Sequence, residues 1–280
     1  MLYLNLMGGL GNQLFQIFAL INLSFELKIP FKLPVYKNDI VSPLDKQSKR
    51  PTYWNNIFKI LQRFVIQFEE PYVVIKENHD STFYDLSELP LQNNKNYKLN
   101  GYFQSEKYFV KNYENIKRLI GIDKLREFTK ENYKDLLEDQ PISLHFRIGD
   151  YIKNPECHPI LPSEYYIKAI NKIKEIDNIN KIIYFFEKKD IEIINKNINN
   201  LKNIFTNIEF IPCPDNLEDW QELLLMSCCK NHIIANSTFS WWGAYFNDDS
   251  NKIVCYPSLW FGDAIKKKTN DLFPKSWIVI

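Results

Sequence analysis

The sequence predicts an α/β fold, and three observations carry that prediction. Short β-rich apolar runs alternate with helical stretches along the chain. Hydrophobic residues make up 45% of the 280 positions and charged residues 25%, the balance of a chain that folds around a core. Three segments rich in glycine, serine or charge sit where a strand ends, which is where open α/β sheets bind ligands.

The elements follow in chain order. Met1-Leu-Tyr-Leu-Asn-Leu-Met has no basic region and reads as a first strand, Leu2–Leu6, not as a signal peptide. A helix over Gln13–Glu26 brings Leu14, Phe15, Phe18, Ile21 and Phe25 to one face. The stretch Tyr36–Asn100 is rich in aromatic, Asn and Pro residues and yields no clear elements. Helices are expected over Ser105–Ile120 and Asp123–Leu137. A composition change at Glu138–Pro141 precedes the strand Ser143–Phe146 and suggests two domains, 1–139 and 140–280. Strands Lys181–Phe186, Asn207–Ile211, His232–Ala235 and Lys252–Tyr256 then alternate with helices Ser163–Glu175, Glu187–Asn200 and Leu217–Lys230. A last short helix is expected from about Ser240.

Lys and Arg total 35 against 34 Asp and Glu, so no global field favours nucleic acid or an anionic membrane. The cluster Lys266–Lys268 reads as a solvated turn or helix end. No run approaches the roughly 18 apolar residues of a membrane span, and a cytoplasmic protein is expected. Cys157, Cys213, Cys228, Cys229 and Cys255 are odd in number and lack a framework or CxxC spacing. Reduced, mostly buried thiols and no structural metal are expected.

Three motifs could carry chemistry. In Met7-Gly8-Gly9-Leu10-Gly11-Asn12-Gln13, the glycines let a ligand approach the backbone, while the helix start offers unpaired N–H groups. A tight turn that binds nothing is the equal alternative. In Leu144-His145-Phe146-Arg147-Ile148-Gly149-Asp150-Tyr151, alternation packs one face and presents His145 and Arg147 on the other. A guanidinium there suits a pyrophosphate; the alternative is an Arg147–Asp150 ion pair holding a turn. In Asn236-Ser237-Thr238-Phe239-Ser240-Trp241-Trp242, short polar side chains gather at a helix start and could bind an anion. Plain helix capping, with both tryptophans in the core, is the alternative there.

GGLGNQLFQ at Gly8–Gln16, HFRIGDY at His145–Tyr151 and NSTFSWWGA at Asn236–Ala244 together resemble the motifs of the α-1,2-fucosyltransferase family, glycosyltransferase family 11. GYFQSEKYF at Gly101–Phe109 is similar to a fourth segment of that family. The resemblance implies a GT-B fold, with two Rossmann-like domains facing across a cleft. Residues 1–139 would lie on the acceptor side, and residues 140–280 would bind the GDP-sugar. It further implies GDP-β-L-fucose as donor, a sugar hydroxyl such as galactose O2 as acceptor, inversion to an α linkage, and no metal or other cofactor. Contact with membrane-linked glycans would then be peripheral.

Carried over by position, Arg147 would neutralise the diphosphate and His145 would lie near the nucleotide. Ser237, Thr238 and Ser240, with Asn236 before them, would lie near the phosphates. Gly9, Gly11, Asn12 and Gln13 would close the cleft, with Asn12 reaching the donor. Glu222 falls where relatives often carry Asp and would accept from guanine N1 and N2. The chain departs from the pattern at Ile148, where many relatives have a second arginine. It also departs at Glu187-Lys188-Lys189-Asp190, where relatives often show Ser-Asp-Asp.

For the base that removes the acceptor proton, Asp150 is the first candidate. Glu156, on a loop with Cys157 and His158, is the second. A transfer so dissociative that it needs no strong base is the alternative. Two rival functions are a transferase of the same fold using another GDP-deoxyhexose, and a non-catalytic carbohydrate-binding protein, suggested by the 15% aromatic content.

Overall fold

A computed structural model describes residues 1–35, 40–41, 49–67, 71–92 and 94–280. Parts of the Tyr36–Asn100 stretch therefore lie outside the described residues. The chain forms two compact units, one of Met1–Leu125 with Lys267–Pro274 and one of Arg126–Lys266 with Lys275–Ile280.

The second unit is built on six parallel strands. Their spatial order is Glu209–Pro212, Lys181–Phe185, Ile142–His145, Asn231–Ile233, Val254–Tyr256, Ile278–Val279. A parallel sheet covered on both faces needs apolar residues pointing both ways, and the alternation supplies them. Ile142, Leu144, Ile182 and Tyr184 enter a core shared with the helices Ser163–Lys174 and Ile191–Ile204. Ile183 and Phe185 point the other way, into a core with Leu225 and Met226 of the helix Asp219–Ser227. On that second face Ser143 and His232 stand opposite each other in register. The Ser143 hydroxyl bonds His232 Nδ1 at 2.7 Å, and Asn247 Nδ2 holds Nε2 at 2.9 Å.

In the first unit, Leu2–Leu4 pairs in parallel with Tyr97–Asn100, which pairs in parallel with Val73–Lys76. The helix Leu10–Leu27 follows the first strand and buries Leu14, Phe15, Phe18 and Ile21, while Phe25, in its last turns, is exposed. The two later strands of this sheet lie in Tyr36–Asn100, where no clear elements were expected. The helix expected over Ser105–Ile120 is two 3₁₀ turns, Glu106–Tyr108 and Val110–Asn112, followed by an α-helix at Tyr113–Ile120. The composition change at Glu138–Pro141 is a turn in which Asp139 and Gln140 both have positive φ, 63° and 52°. The lysine cluster is not simply solvated. Lys267 lies 4.8 Å from the centre of the Tyr102 ring and Lys268 pairs with Asp80 at 2.8 Å.

Candidate active site

In the second unit, parallel register explains the central contact. His145 stands opposite Phe185 on the neighbouring strand. Two residues beyond each, Arg147 and Glu187 meet. The Arg147 guanidinium binds Glu187 through Nη1 and Asp150 through Nη2, and it lies 5.0 Å from the centre of the Tyr151 ring. Burial opposes its charge, but Tyr151, Asp150 and Glu187 outweigh burial and raise its pKa. The second nitrogen thus realises the Arg147–Asp150 ion pair that the spacing allowed. Glu187 is a partner that sequence reading missed. Its other oxygen is held by Lys189 at 2.5 Å.

His145 is buried, with its ring 5.5 Å from that of Phe239 and, among the described residues, no hydrogen-bond partner for Nδ1. Burial first, and then the Arg147 charge, lower its pKa to about 3, so the imidazole is neutral near pH 7. The Gly149 N–H donates to Asp190 Oδ2 at 2.8 Å, which fixes the turn after Arg147. The Tyr151 hydroxyl donates to the Asn236 carbonyl at 2.9 Å and so ties the second motif to the third. His158 stacks on Tyr151 at 4.7 Å. It belongs to this group although no motif marked it, because only tertiary packing puts it there.

In the third motif, Ser237 caps the helix Thr238–Tyr245, its hydroxyl accepting the Phe239 N–H at 3.3 Å. Half-buried Thr238 follows at the helix start. Asn236 and Ser240 are committed to the fold. Asn236 Nδ2 donates to the Pro159 carbonyl at 2.9 Å. The fully buried Ser240 hydroxyl turns back to the Ser237 carbonyl at 3.3 Å. Trp241 and Trp242 are core residues. The capping alternative therefore holds for Ser237 and the tryptophans, Asn236 and Ser240 brace the fold, and Thr238 stands with Ser237 at the N–H-rich helix end.

Glu222 lies on the helix Asp219–Ser227, whose start is fixed by a reciprocal cap between Glu218 and Gln221. Burial, and then Asp219, push its pKa up to about 7. Glu156 is exposed on the loop beyond Tyr151 and is not a partner of Arg147. Its main-chain carbonyl accepts the Ala264 N–H at 3.0 Å.

In the first unit, Gly8 turns the chain at φ +75° and Gly9 precedes the helix. Gln13 is fully buried and donates to the carbonyls of Gly8 and Pro51, at 3.1 and 2.8 Å. It is a brace of the turn. Gly11 is buried in the first helical turn. The half-buried Asn12 accepts from Gln104 Nε2 at 2.8 Å. All five cysteines are free thiols, three of them buried. Among the described residues no helix is long and apolar enough to cross a membrane, and no three His, Cys, Asp or Glu side chains group as metal ligands.

A family model described as glycosyl transferase family 11 matches residues 1–280. The O-antigen biosynthesis glycosyltransferase WbnK of Escherichia coli is 32% identical over an alignment of 318 residues, covering 99% of each chain. An alpha-1,2-colitosyltransferase of Escherichia coli is 31% identical over 183 residues, covering 64% of this chain and 61% of that one. Among solved structures, a glycosyl transferase family 9 protein from Veillonella parvula overlays with a TM-score of 0.49 at 13% identity, covering 100% of this chain and 86% of that one.

Proposed function

The chain belongs to glycosyl transferase family 11 and is a glycosyltransferase, and from that premise we propose that it moves L-fucose from GDP-β-L-fucose to a sugar hydroxyl, galactose O2, in α-1,2 linkage with inversion. The observation that supports this most is Arg147. Its guanidinium stands beyond the end of a central parallel strand, and Tyr151 ties its segment to the one that starts the Thr238–Tyr245 helix. A planar cation and a helix start at one sheet edge suit a diphosphate.

In this reading Arg147 and the main-chain N–H groups after Ser237 stabilise the departing GDP. Preorganised donors of this kind are commonly worth about 3–4 kcal/mol each. No metal is needed, because these groups supply the positive charge. His145 is neutral and so contributes shape and a hydrogen bond, not charge. Asp150, beside Arg147, is the first candidate to accept the acceptor proton; Glu156 is the second. Glu222, with a pKa near 7, is partly ionised at neutral pH and available to guanine N1 and N2. Gly9 and Asn12 line the substrate-facing turn of the first unit, and Gly11 lets the helix start close behind it.

A second reading is transfer of another GDP-deoxyhexose, favoured by the relative named as a colitosyltransferase. Incubation with a panel of GDP-sugars and assay of GDP release separates the two. GDP-fucose is expected to be the best substrate, and a preference for another sugar would replace it. Arg147→Ala is expected to weaken GDP binding and turnover by on the order of 100-fold with the fold intact. Transfer at the wild-type rate by that variant would remove the phosphate role.

A further inference from the structure

The segment Gly101–Phe109 has no part in the function so far, yet it holds the most constrained backbone near the glycine turn. The strand Tyr97–Asn100 neighbours the first strand in parallel register, so Gly101–Ser105 and Met7–Asn12 leave the same sheet edge. Glu77, just past the next strand, accepts two main-chain N–H groups, Tyr102 at 2.9 Å and Phe103 at 2.8 Å. Gly101 permits this, because a Cβ there would lie 2.3 Å from the Cβ of Glu77.

Phe103 has φ +52°, a left-handed conformation that is unfavourable for a residue with a side chain. It persists because the surroundings over-determine it. The Glu77 carboxylate holds its N–H. Its ring is fully buried, edge-on to Tyr108 at 5.3 Å. The reversal it makes sends Gln104 back to Asn12, where Nε2 donates to Oδ1 at 2.8 Å. On the other side, the Asn12 amide nitrogen packs against Gly8, where a Cβ would lie only 2.3 Å away. The Asn12 amide is thus fixed in place and in polarity.

We propose that Glu77 and Gln104 are positioning residues: the clamped reversal at Phe103 exists to hold the Asn12 amide in one orientation for the bound substrate. This rests on the reading that the glycine turn faces substrate. Asn12 then acts with its carbonyl oxygen committed to Gln104, as a fixed dipole, and has no role as a base.

Two measurements test it. Hydrogen exchange over peptides spanning Met7–Phe15 needs no substrate. Gln104→Ala and Glu77→Gln should speed exchange at the glycine turn several-fold, and exchange unchanged in both would overturn the clamp. The second is a double-mutant cycle of Asn12→Ala and Gln104→Ala, read as kcat for GDP release from GDP-fucose. Each single change should lower kcat about tenfold, and the double should fall no further than the worse single, since residues that act as one unit are non-additive. Gln104→Glu, which keeps size but sets an acceptor against Oδ1, should be as harmful as Gln104→Ala. Multiplying effects in the double, or wild-type kcat in Gln104→Ala, would overturn the proposal. If Asn12→Ala turns over normally while Arg147→Ala does not, the role of Asn12 fails and the donor reading stands. If the wild-type protein releases no GDP, the donor reading fails and the exchange measurement still decides the clamp.

Discussion

Arg147 divides its guanidinium between two negative charges, Glu187 and Asp150, before any ligand arrives, and Lys189 balances Glu187 from its far side. A diphosphate brings about two more, and like charges 4 Å apart repel by about 4 kcal/mol at an effective dielectric of 20. The donor therefore has to displace a carboxylate from Arg147. Glu187 is the one with somewhere to go, because Lys189 already holds its second oxygen. Glu187→Gln keeps the shape and removes the competing charge. Screening at this partly exposed site reduces the full Coulomb term, so calorimetry should give GDP binding about tenfold tighter, with the gain shrinking in 0.5 M salt. Equal or weaker binding would mean that Glu187 is a ligand of the nucleotide and not its competitor. The Arg147–Asp150 pair was legible from a spacing of three residues. Glu187 was not, since its approach depends on which strands are neighbours and in what register, a property of the sheet and not of any local window.

At the scale of the element, the turn between the first strand and the helix Leu10–Leu27 contains two glycines with opposite reasons for being there. Gly8 has φ +75° and no room for a Cβ, because Asn12 fills that space. Gly9 has ordinary φ, −78°, and no atom of the described residues within 4 Å of where a Cβ would stand. Gly8→Ala should therefore cost about 1–2 kcal/mol of stability and disturb Asn12 directly. Gly9→Ala should change thermal stability little, by about 0.5 kcal/mol for the poorer cap, yet lower turnover if substrate uses the open space above it. Paired melting and turnover measurements check both; normal turnover in Gly9→Ala would remove that residue from the site. Helical periodicity and the glycines made this element legible. Gln13 illustrates what was not: its amide reads as a ligand group in the motif, but the carbonyl of Pro51, 38 residues away, claims it. Asn236 is claimed in the same way by Pro159.

For the whole molecule, the six-stranded sheet was the most legible part, because its central strands are apolar runs bounded by polar turns and buried on both faces, whereas the short edge strand Ile278–Val279, with Val279 exposed, carried no such mark. The division into units was less so. It falls inside the helix Ile122–Asn132, and Lys267–Pro274 returns to the first unit through Lys268 and Asp271, with no compositional mark. Burying the sheet this thoroughly has a consequence for acid stability. His145 and His232 are both buried in the second unit and both have pKa values lowered to about 3. Burial is the main cause, followed by Arg147 for the first and by Lys252 and Arg126 for the second. Their ordinary value is 6.5, so between pH 6.5 and 3 the unfolded chain binds protons that the folded chain does not. Stability is therefore complete above pH 6.5 and lost as pH falls, by up to about 1.4 kcal/mol per unit for each histidine. Urea unfolding should show the second unit losing about 3 kcal/mol between pH 7.5 and 5.5. His232→Gln should roughly halve that loss, whatever it does to stability at neutral pH. A stability that stays flat across this range would mean that the unfolded chain holds these imidazoles as neutral as the folded one does, and that burial in the sheet does not set their charge.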